Sequence, residues 1–330
     1  MTPTGLRDTF CRRINYLRVS VTDRCNLRCV YCMPPEGIKA LEHIQILSYE
    51  EILRVVRISV GLGITKVRIT GGEPLVRRGI VDFIGEVAQI PGVGDLSLTT
   101  NGILLAPMAE ELFHKGLKRV NISLDTLKPD VFEKITNRPG LEKVLAGVDA
   151  AMKTGLSPVK VNVVAIRGVN DGEIMDFADF AATTGVHVRF IEYMPSRRDV
   201  WSGKTLMPAS EILEKISTRY TLSKAEVPAG DSGPSRMFDL PGGGRIGVIS
   251  PLSDHFCGTC NRLRLTADGR LRSCLFSNEE IDLKTRLRDG SEDAALASLL
   301  KAAVMNKPER HGIEEDGGDP CGMDMSRIGG

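Results

Sequence analysis

The residues best suited to chemistry in this sequence are its cysteines. Cys25-Asn26-Leu27-Arg28-Cys29-Val30-Tyr31-Cys32 has C-x3-C-x2-C spacing. A zinc ribbon uses paired C-x2-C steps or histidine partners, and His43 stands in the wrong place to serve as one. A cluster ligated by protein at every iron requires a fourth nearby cysteine, which this segment lacks. Three thiolates in one short loop can hold three corners of a cubane iron–sulfur cluster. The fourth iron is then open to an added ligand, as one position is in catalytic metal sites.

A second triplet, Cys257, Cys260 and Cys274, has C-x2-C-x13-C spacing, with His255 just before it. Three cysteines and a histidine make a zinc site, and three cysteines alone make a second open cluster. Spacing leaves both readings standing. Cys11 and Cys321 stand apart and read as buried or incidental thiols. Eight cysteines in 330 residues are few for a disulfide scaffold, and two tight triplets favour metal.

The elements that must position these loops follow from periodicity. Expected strands are Tyr16–Val21, Lys66–Thr70, Asp95–Thr99, Arg119–Leu124, Val159–Val164 and His187–Glu192. Expected helices between them are Tyr49–Val60, Ile80–Ala88, Ala106–Lys115, Leu141–Lys153 and Glu173–Thr184. Ser48 and Glu51 form a capping box for the first helix. Pro107 suits a first helical position, and Gly61 and Gly116 suit helix ends. Six βα units in series predict an α/β fold, a partial (β/α)6 TIM-like barrel, because eight would close a full one. Asp23, Gly71-Gly72-Glu73, Thr100-Asn101, Ser123-Leu124-Asp125, Lys160, Asn162, Glu192 and Met194 are expected around one mouth, at the C-terminal strand ends.

The pattern breaks near residue 225, which divides a barrel over residues 1–225 from a smaller C-terminal domain over 226–330. Pro228–Pro234 and Gly242-Gly243-Gly244 read as loops. Ser235–Leu240 and Arg245–Ile249 read as a hairpin, Ala267-Asp268-Gly269 as a turn, and Ile281–Arg288 and Glu292–Ala303 as helices. The chain ends in Gly329-Gly330.

Lys and Arg together number 43 against 42 Asp and Glu, a net charge of +1. No global field draws such a chain to nucleic acid or membrane. An anionic partner must therefore be met by local cations. No apolar run approaches the ~18–20 residues of a spanning helix, and Ile14–Val21 alternates with polar residues, unlike a signal-peptide core. A cytoplasmic enzyme is the expectation.

The first cysteine segment, placed after strand one of a βα series, resembles the radical S-adenosylmethionine superfamily. That resemblance implies that the methionyl amino and carboxylate groups of S-adenosyl-L-methionine chelate the open iron. It also implies that one electron, from an external donor, releases a 5′-deoxyadenosyl radical. It assigns Tyr31, Gly72, Ser123 and Met194 to the cofactor, with Gly71-Gly72-Glu73-Pro74 gripping the methionyl ammonium.

The whole chain from about Leu17 onward is similar to the GTP 3′,8-cyclase family of molybdenum cofactor biosynthesis. The segments that carry this are Asp23-Arg24-Cys25-Asn26, Tyr31-Cys32-Met33-Pro34, Arg68-Ile69-Thr70-Gly71-Gly72-Glu73-Pro74 and Thr99-Thr100-Asn101-Gly102. Asn121-Ile122-Ser123-Leu124-Asp125, Arg189-Phe190-Ile191-Glu192-Tyr193-Met194, Cys257 through Arg264 and the terminal Gly-Gly add to them. The resemblance implies two 4Fe-4S clusters, the second on Cys257, Cys260 and Cys274 with its open iron on the purine. It implies abstraction of the ribose 3′ hydrogen of GTP and attack of the carbon radical on C8, giving (8S)-3′,8-cyclo-7,8-dihydroguanosine 5′-triphosphate. The product passes to a cyclic pyranopterin monophosphate synthase, and the enzyme is expected to be a homodimer.

Arg18, Arg68, Thr99, Lys160, Arg262 and Arg264 are implied GTP contacts, and Lys66 and Arg189 are further candidates. Lys66 and Arg68 are two apart on one strand and share a face. No Gly-x4-Gly-Lys-Ser/Thr loop is present, so the nucleotide is not held as a P-loop enzyme holds it. Arg18, Gly329 and Gly330 are expected to take part in the radical step, with the tail reaching into the pocket. Ser196-Arg197-Arg198 is more basic than the short glycine-containing loop expected after Met194-Pro195.

Overall fold

The computed structural model describes residues 5–197, 200–226, 233–313 and 325–329. Six βα units come first. Their strands are β1 Tyr16–Ser20, β2 Lys66–Thr70, β3 Asp95–Thr100, β4 Arg119–Ser123, β5 Val159–Ala165 and β6 His187–Glu192. Their helices are α1 Tyr49–Gly61, α2 Ile80–Ala88, α3 Ala109–His114, α4 Pro129–Thr136, α5 Leu141–Lys153, α6 Ile174–Thr184 and α7 Ala209–Ser217. Ser48 caps α1 as expected: its Oγ accepts from the Glu51 N–H at 3.2 Å, and Glu51 Oε2 accepts from the Ser48 N–H at 2.7 Å.

Alternation along each strand separates two environments. Leu17, Val19, Val67, Ile69, Leu98, Val120, Ile122, Val161, Val188 and Phe190 are buried in one apolar core with Ile52, Val56, Ile84, Val144 and Phe177 of the helices. The intervening residues, among them Arg18, Arg68, Thr99, Lys160, Asn162 and Arg189, line a cavity inside the curve of the sheet. The usual barrel interior is filled with branched apolar side chains. Here the inner face is polar and hollow.

The remaining strands are β7 Ser223–Lys224, β8 Arg236–Asp239, β9 Arg245–Ile249, β10 Arg262–Leu265, β11 Arg270–Arg272 and β12 Ile281–Asp282. They do not form a sheet of their own. A single twelve-stranded sheet runs β12-β11-β10-β1-β2-β3-β4-β5-β6-β9-β8-β7. β10 pairs parallel with β1, and β9 pairs parallel with β6. The six βα units form the expected partial barrel, and β9 and β10, from beyond residue 225, extend its parallel run by one strand at each side without closing it. β7 and β8 are paired to each other across the expected boundary.

Helices α8 Lys284–Arg288, α9 Asp293–Met305 and α10 Met325–Ile328 complete the described chain. The expected hairpin is β8–β9, and Gly269 makes the expected turn with φ +82°. Two of the expected helices need correction. The helix expected from Ile281 is a short strand followed by α8. Ile281 pairs with Leu271, and Asp282 Oδ1 accepts from the Thr285 N–H at 3.1 Å, ending the strand. The helix expected from Ala106 opens as a 3-10 turn over Ala106–Met108 before α3. α4 and α7 were not anticipated.

Candidate active site

Topology alone separates the two cysteine triplets. Cys25, Cys29 and Cys32 follow the C-terminal end of β1. β9 and β10 both run parallel to the central strands, so their connection returns from the C-terminal end of the sheet to its N-terminal end. Cys257 and Cys260 lie late on that return, just before β10. Cys274 follows β11, which runs antiparallel to β10 and ends at the same side. A five-residue strand spans about 17 Å, so the triplets lie at opposite ends of the strands, the second next in sequence to Phe256, Asn261 and Leu275 of the cavity wall. The polar strand residues therefore do not surround one mouth, as the sequence suggested. Lys160 lies near the start of β5, toward the second triplet.

At the C-terminal mouth, Cys25, Cys29, Cys32, Tyr31, Gly71, Gly72, Ser123 and Met194 line one cavity. Gly72 has no room for a side chain: a Cβ there would lie 2.4 Å from the Arg24 carbonyl oxygen. Glu73 turns away from the cavity and ties its own loop. It accepts from the N–H groups of Leu75 (2.9 Å) and Asn101 (2.6 Å) and from Thr100 Oγ1 (2.8 Å), and burial lifts its carboxyl to about 7. Tyr31 donates its hydroxyl to Asp125, which also accepts from the Val164 N–H at 2.8 Å. Glu192 accepts from the N–H groups of Ala209 (2.9 Å), Leu252 (3.0 Å) and Ser253 (3.0 Å). Asp125 and Glu192 thus hold the framework. Ser196 Oγ donates to the Tyr31 carbonyl at 2.7 Å and Arg197 to the Val30 carbonyl at 2.8 Å, so the basic stretch after β6 clamps the first cysteine loop. Arg198 lies outside the described residues.

This donor set suits an iron–sulfur centre. Burial pushes the Cys25 thiol up to about 12, and Cys29 is raised by its hydrogen bond with Cys32 and by burial. Iron bound there would supply the positive charge that holds such buried thiols as thiolates. Among the described residues no three of His, Cys, Asp and Glu converge as ligands of a single ion do. Thiolates on three corners of a cubane bind three different irons and need no common point.

At the N-terminal end the cavity is a nest of cations. Arg264, Arg18 and Arg68 sit side by side in register on β10, β1 and β2. Each is buried to within 8% of full exclusion. Burial lowers all three, and mutual repulsion lowers Arg18 further. Arg189, brought down to about 9 by burial and by Arg68, donates to Asn121 Oδ1 at 2.7 Å and to Asn162 Oδ1 at 2.6 and 3.0 Å. Lys66, Lys160 and Arg262 line the same space. Thr99, Asn162, Met194 and Met325 line both ends, so the two chambers communicate. Sequence reasoning missed Tyr16, Arg119, His187 and Arg245, which also line this chamber. Each is the first residue of its strand, and their shared place at strand starts was the available signal.

The tail enters the cavity from the side of Thr70. The Gly329 carbonyl accepts from Arg18 Nη2 at 3.3 Å and from Arg264 Nη1 at 3.1 Å. Gly330 and Cys321 lie outside the described residues.

Two buried cations hold the second triplet. Arg12 donates to the carbonyls of Cys257 (2.8 Å), Pro308 (2.7 Å) and Glu309 (3.0 Å), and pairs with Asp8 at 2.6 Å. Lys307 donates to the carbonyls of Arg262 (3.1 Å) and Ser273. Burial works to raise the Cys260 thiol, but Arg262 and Lys307 more than offset it and bring it to about 6. Such a thiol is poised to bind metal as thiolate. The His255 ring packs edge-on to His311, 5.8 Å between centroids.

Residues 19–181 match the family model of the radical SAM superfamily, and residues 186–313 match that of Molybdenum Cofactor Synthesis C. Taken with the parallel sheet and the cysteine loop after β1, this defines a radical S-adenosylmethionine enzyme. A GTP 3′,8-cyclase of Moorella thermoacetica is 50% identical over 98% of this chain and 100% of its own length. That of Geobacter sulfurreducens is 50% identical over 98% and 99%, and that of Alkaliphilus oremlandii 47% over 98% and 100%. The chain belongs to the GTP 3′,8-cyclase family. In fold it is also like Streptococcus suis SuiB bound to S-adenosylmethionine, with a TM-score of 0.58 at 13% identity over 92% of this chain and 77% of that one.

Proposed function

We propose that this chain cyclises GTP between two 4Fe-4S clusters placed at opposite ends of one cavity. The observation that carries this is the buried row Arg264, Arg18 and Arg68, continued by Arg189, with Lys66, Lys160 and Arg262 beside it. Like charges gathered in a space poor in water are costly unless an anion joins them. A triphosphate is such an anion, and fixed guanidinium donors suit its oxygens.

Cys25, Cys29 and Cys32 hold the first cluster, and Tyr31, Gly72, Ser123 and Met194 contact S-adenosyl-L-methionine. When bound, that pair supplies the radical that removes the 3′ hydrogen. Thr99 and the cations place the nucleotide so that C3′ meets the radical source and C8 lies within reach of C3′, where correct placement is worth a large effective molarity. Cys257, Cys260 and Cys274 would hold the second cluster, on the side of the cavity given to the purine. The walls exclude water and stray hydrogen donors. Gly329, bound to Arg18 and Arg264, orders these two arginines beside the substrate, and Gly330 takes part with it in the radical step.

An external one-electron donor, transfer of product to a cyclic pyranopterin monophosphate synthase, a homodimer and a cytoplasmic location complete the reading. It involves neither nucleic acid nor membrane. Among the described residues no helix is long and apolar enough to cross a membrane.

The test is anaerobic incubation with dithionite, S-adenosylmethionine and GTP, followed by mass detection of the cyclised nucleotide. Cys29→Ala abolishes 5′-deoxyadenosine formation. Cys260→Ala loses the cyclised product while retaining some uncoupled cofactor cleavage. Unchanged product from Cys260→Ala would refute a substrate-side cluster.

A further inference from the structure

We infer that the Tyr16 hydroxyl is a neutral hydrogen-bond donor to the polyphosphate of the substrate, a contact set among cations but carrying no charge itself. The inference rests on the placement of GTP in the chamber described above.

Tyr16 opens β1 and lines the chamber. It is 7% exposed, and its hydroxyl has no hydrogen-bond partner among the described residues. An unpaired buried hydroxyl is costly, so its persistence calls for a partner that arrives later. Its neighbours say what that partner is. Lys66 and Arg262 lie opposite it in register on the two flanking strands. The Arg68 guanidinium sits 5.3 Å from its ring centroid. Burial works to raise the phenol, but Arg68, Arg18 and Arg119 outweigh it, which makes the O–H a stronger donor. Several nearby polar groups already have partners: Arg68 Nε donates to Ser97 Oγ at 3.2 Å, Arg119 Nε to Asp95 at 2.8 Å, and Arg189 to Asn121 and Asn162. Thr99 Oγ1 is a second hydroxyl of this chamber with no partner among the described residues, and the family resemblance already assigns it to the nucleotide. A ligand oxygen surrounded by these cations is an anionic one. One more arginine here would add to the repulsion among the cations, whereas a phenol adds a donor without it.

The experiment measures equilibrium binding of GTP and of inorganic tripolyphosphate to the anaerobic, cluster-loaded enzyme, together with its melting temperature without nucleotide. Tyr16→Phe removes one oxygen and should weaken both ligands by about tenfold, the worth of one hydrogen bond to a charged group. The ligand-free melting temperature should hold or rise, because a buried orphan is gone. A purely structural tyrosine gives the reverse pattern, lower stability with binding unchanged, and that result overturns the inference. Weaker GTP binding with unaltered tripolyphosphate binding overturns it as a phosphate contact. Lys160→Ala serves as the reference. If it weakens GTP binding while Tyr16→Phe does not, the Tyr16 assignment alone fails. If neither variant alters GTP binding, the placement of the nucleotide fails, and the inference fails with it.

Discussion

His187 opens β6 where the chamber is most crowded with charge. Burial, then Lys160, Arg245 and Arg189, lower its imidazole from 6.5 to about 4. Between those values the unfolded chain binds the proton and the folded chain does not. The stabilising difference is therefore complete above 6.5 and is lost as pH falls through about 4. Urea melts of the nucleotide-free protein between those limits should show stability dropping with pH, and His187→Gln should flatten that drop. An unaltered slope in the variant would assign the effect to other groups. The cysteines, Gly71-Gly72 and Arg18 were legible in the sequence because spacing and neighbours mark them. Tyr16, Arg119, His187 and Arg245 were not. Alternation states which side of a strand a residue occupies but not that the strand's first residue meets a ligand, and active sites of barrels ordinarily sit at the other end.

At the level of elements, the tail is the most constrained short piece. Gly329 has φ +75°, and a Cβ there would lie 2.3 Å from Thr70 Cγ2. A left-handed conformation costs a residue with a Cβ roughly 1–2 kcal/mol before any overlap. Gly329→Ala should therefore draw the tail away from Arg18 and Arg264 and lower cyclised product by about tenfold or more, with iron and sulfide content unchanged. Mass detection of product beside metal analysis separates these outcomes, and full activity would show that the tail contact is dispensable. The main βα elements were readable because apolar alternation and caps agree, as at Ser48 and Glu51. At Ile281 a short apolar stretch carries no period of its own and does not separate strand from helix. Its pairing with Leu271, far from any local signal, decides it.

For the molecule as a whole, the sequence divides at residue 225 and the sheet does not. β9 and β10 cover β6 and β1, the strands that would otherwise be edges. Residues 1–225 produced alone should present two bare strand edges and associate. Size-exclusion chromatography should find aggregate, and a soluble monomer of that fragment would show that the added strands are ornamental. Composition reported the absence of a global field, with a net charge of +1. It could not report that so many of the positive charges are turned inward, because that depends on which face of each strand is hollow.

The Arg12 guanidinium joins an amino-terminal residue to the carbonyls of Cys257, Pro308 and Glu309. Arg12 and Glu309 are 297 residues apart in the chain, so the cradle of the second triplet closes only when distant segments meet. The first cysteine loop needs only β1 to β6 and the segment just after them for its contacts. The two triplets therefore differ in what must fold around them: the first is held by neighbours within one run of chain, the second by a contact between remote ones.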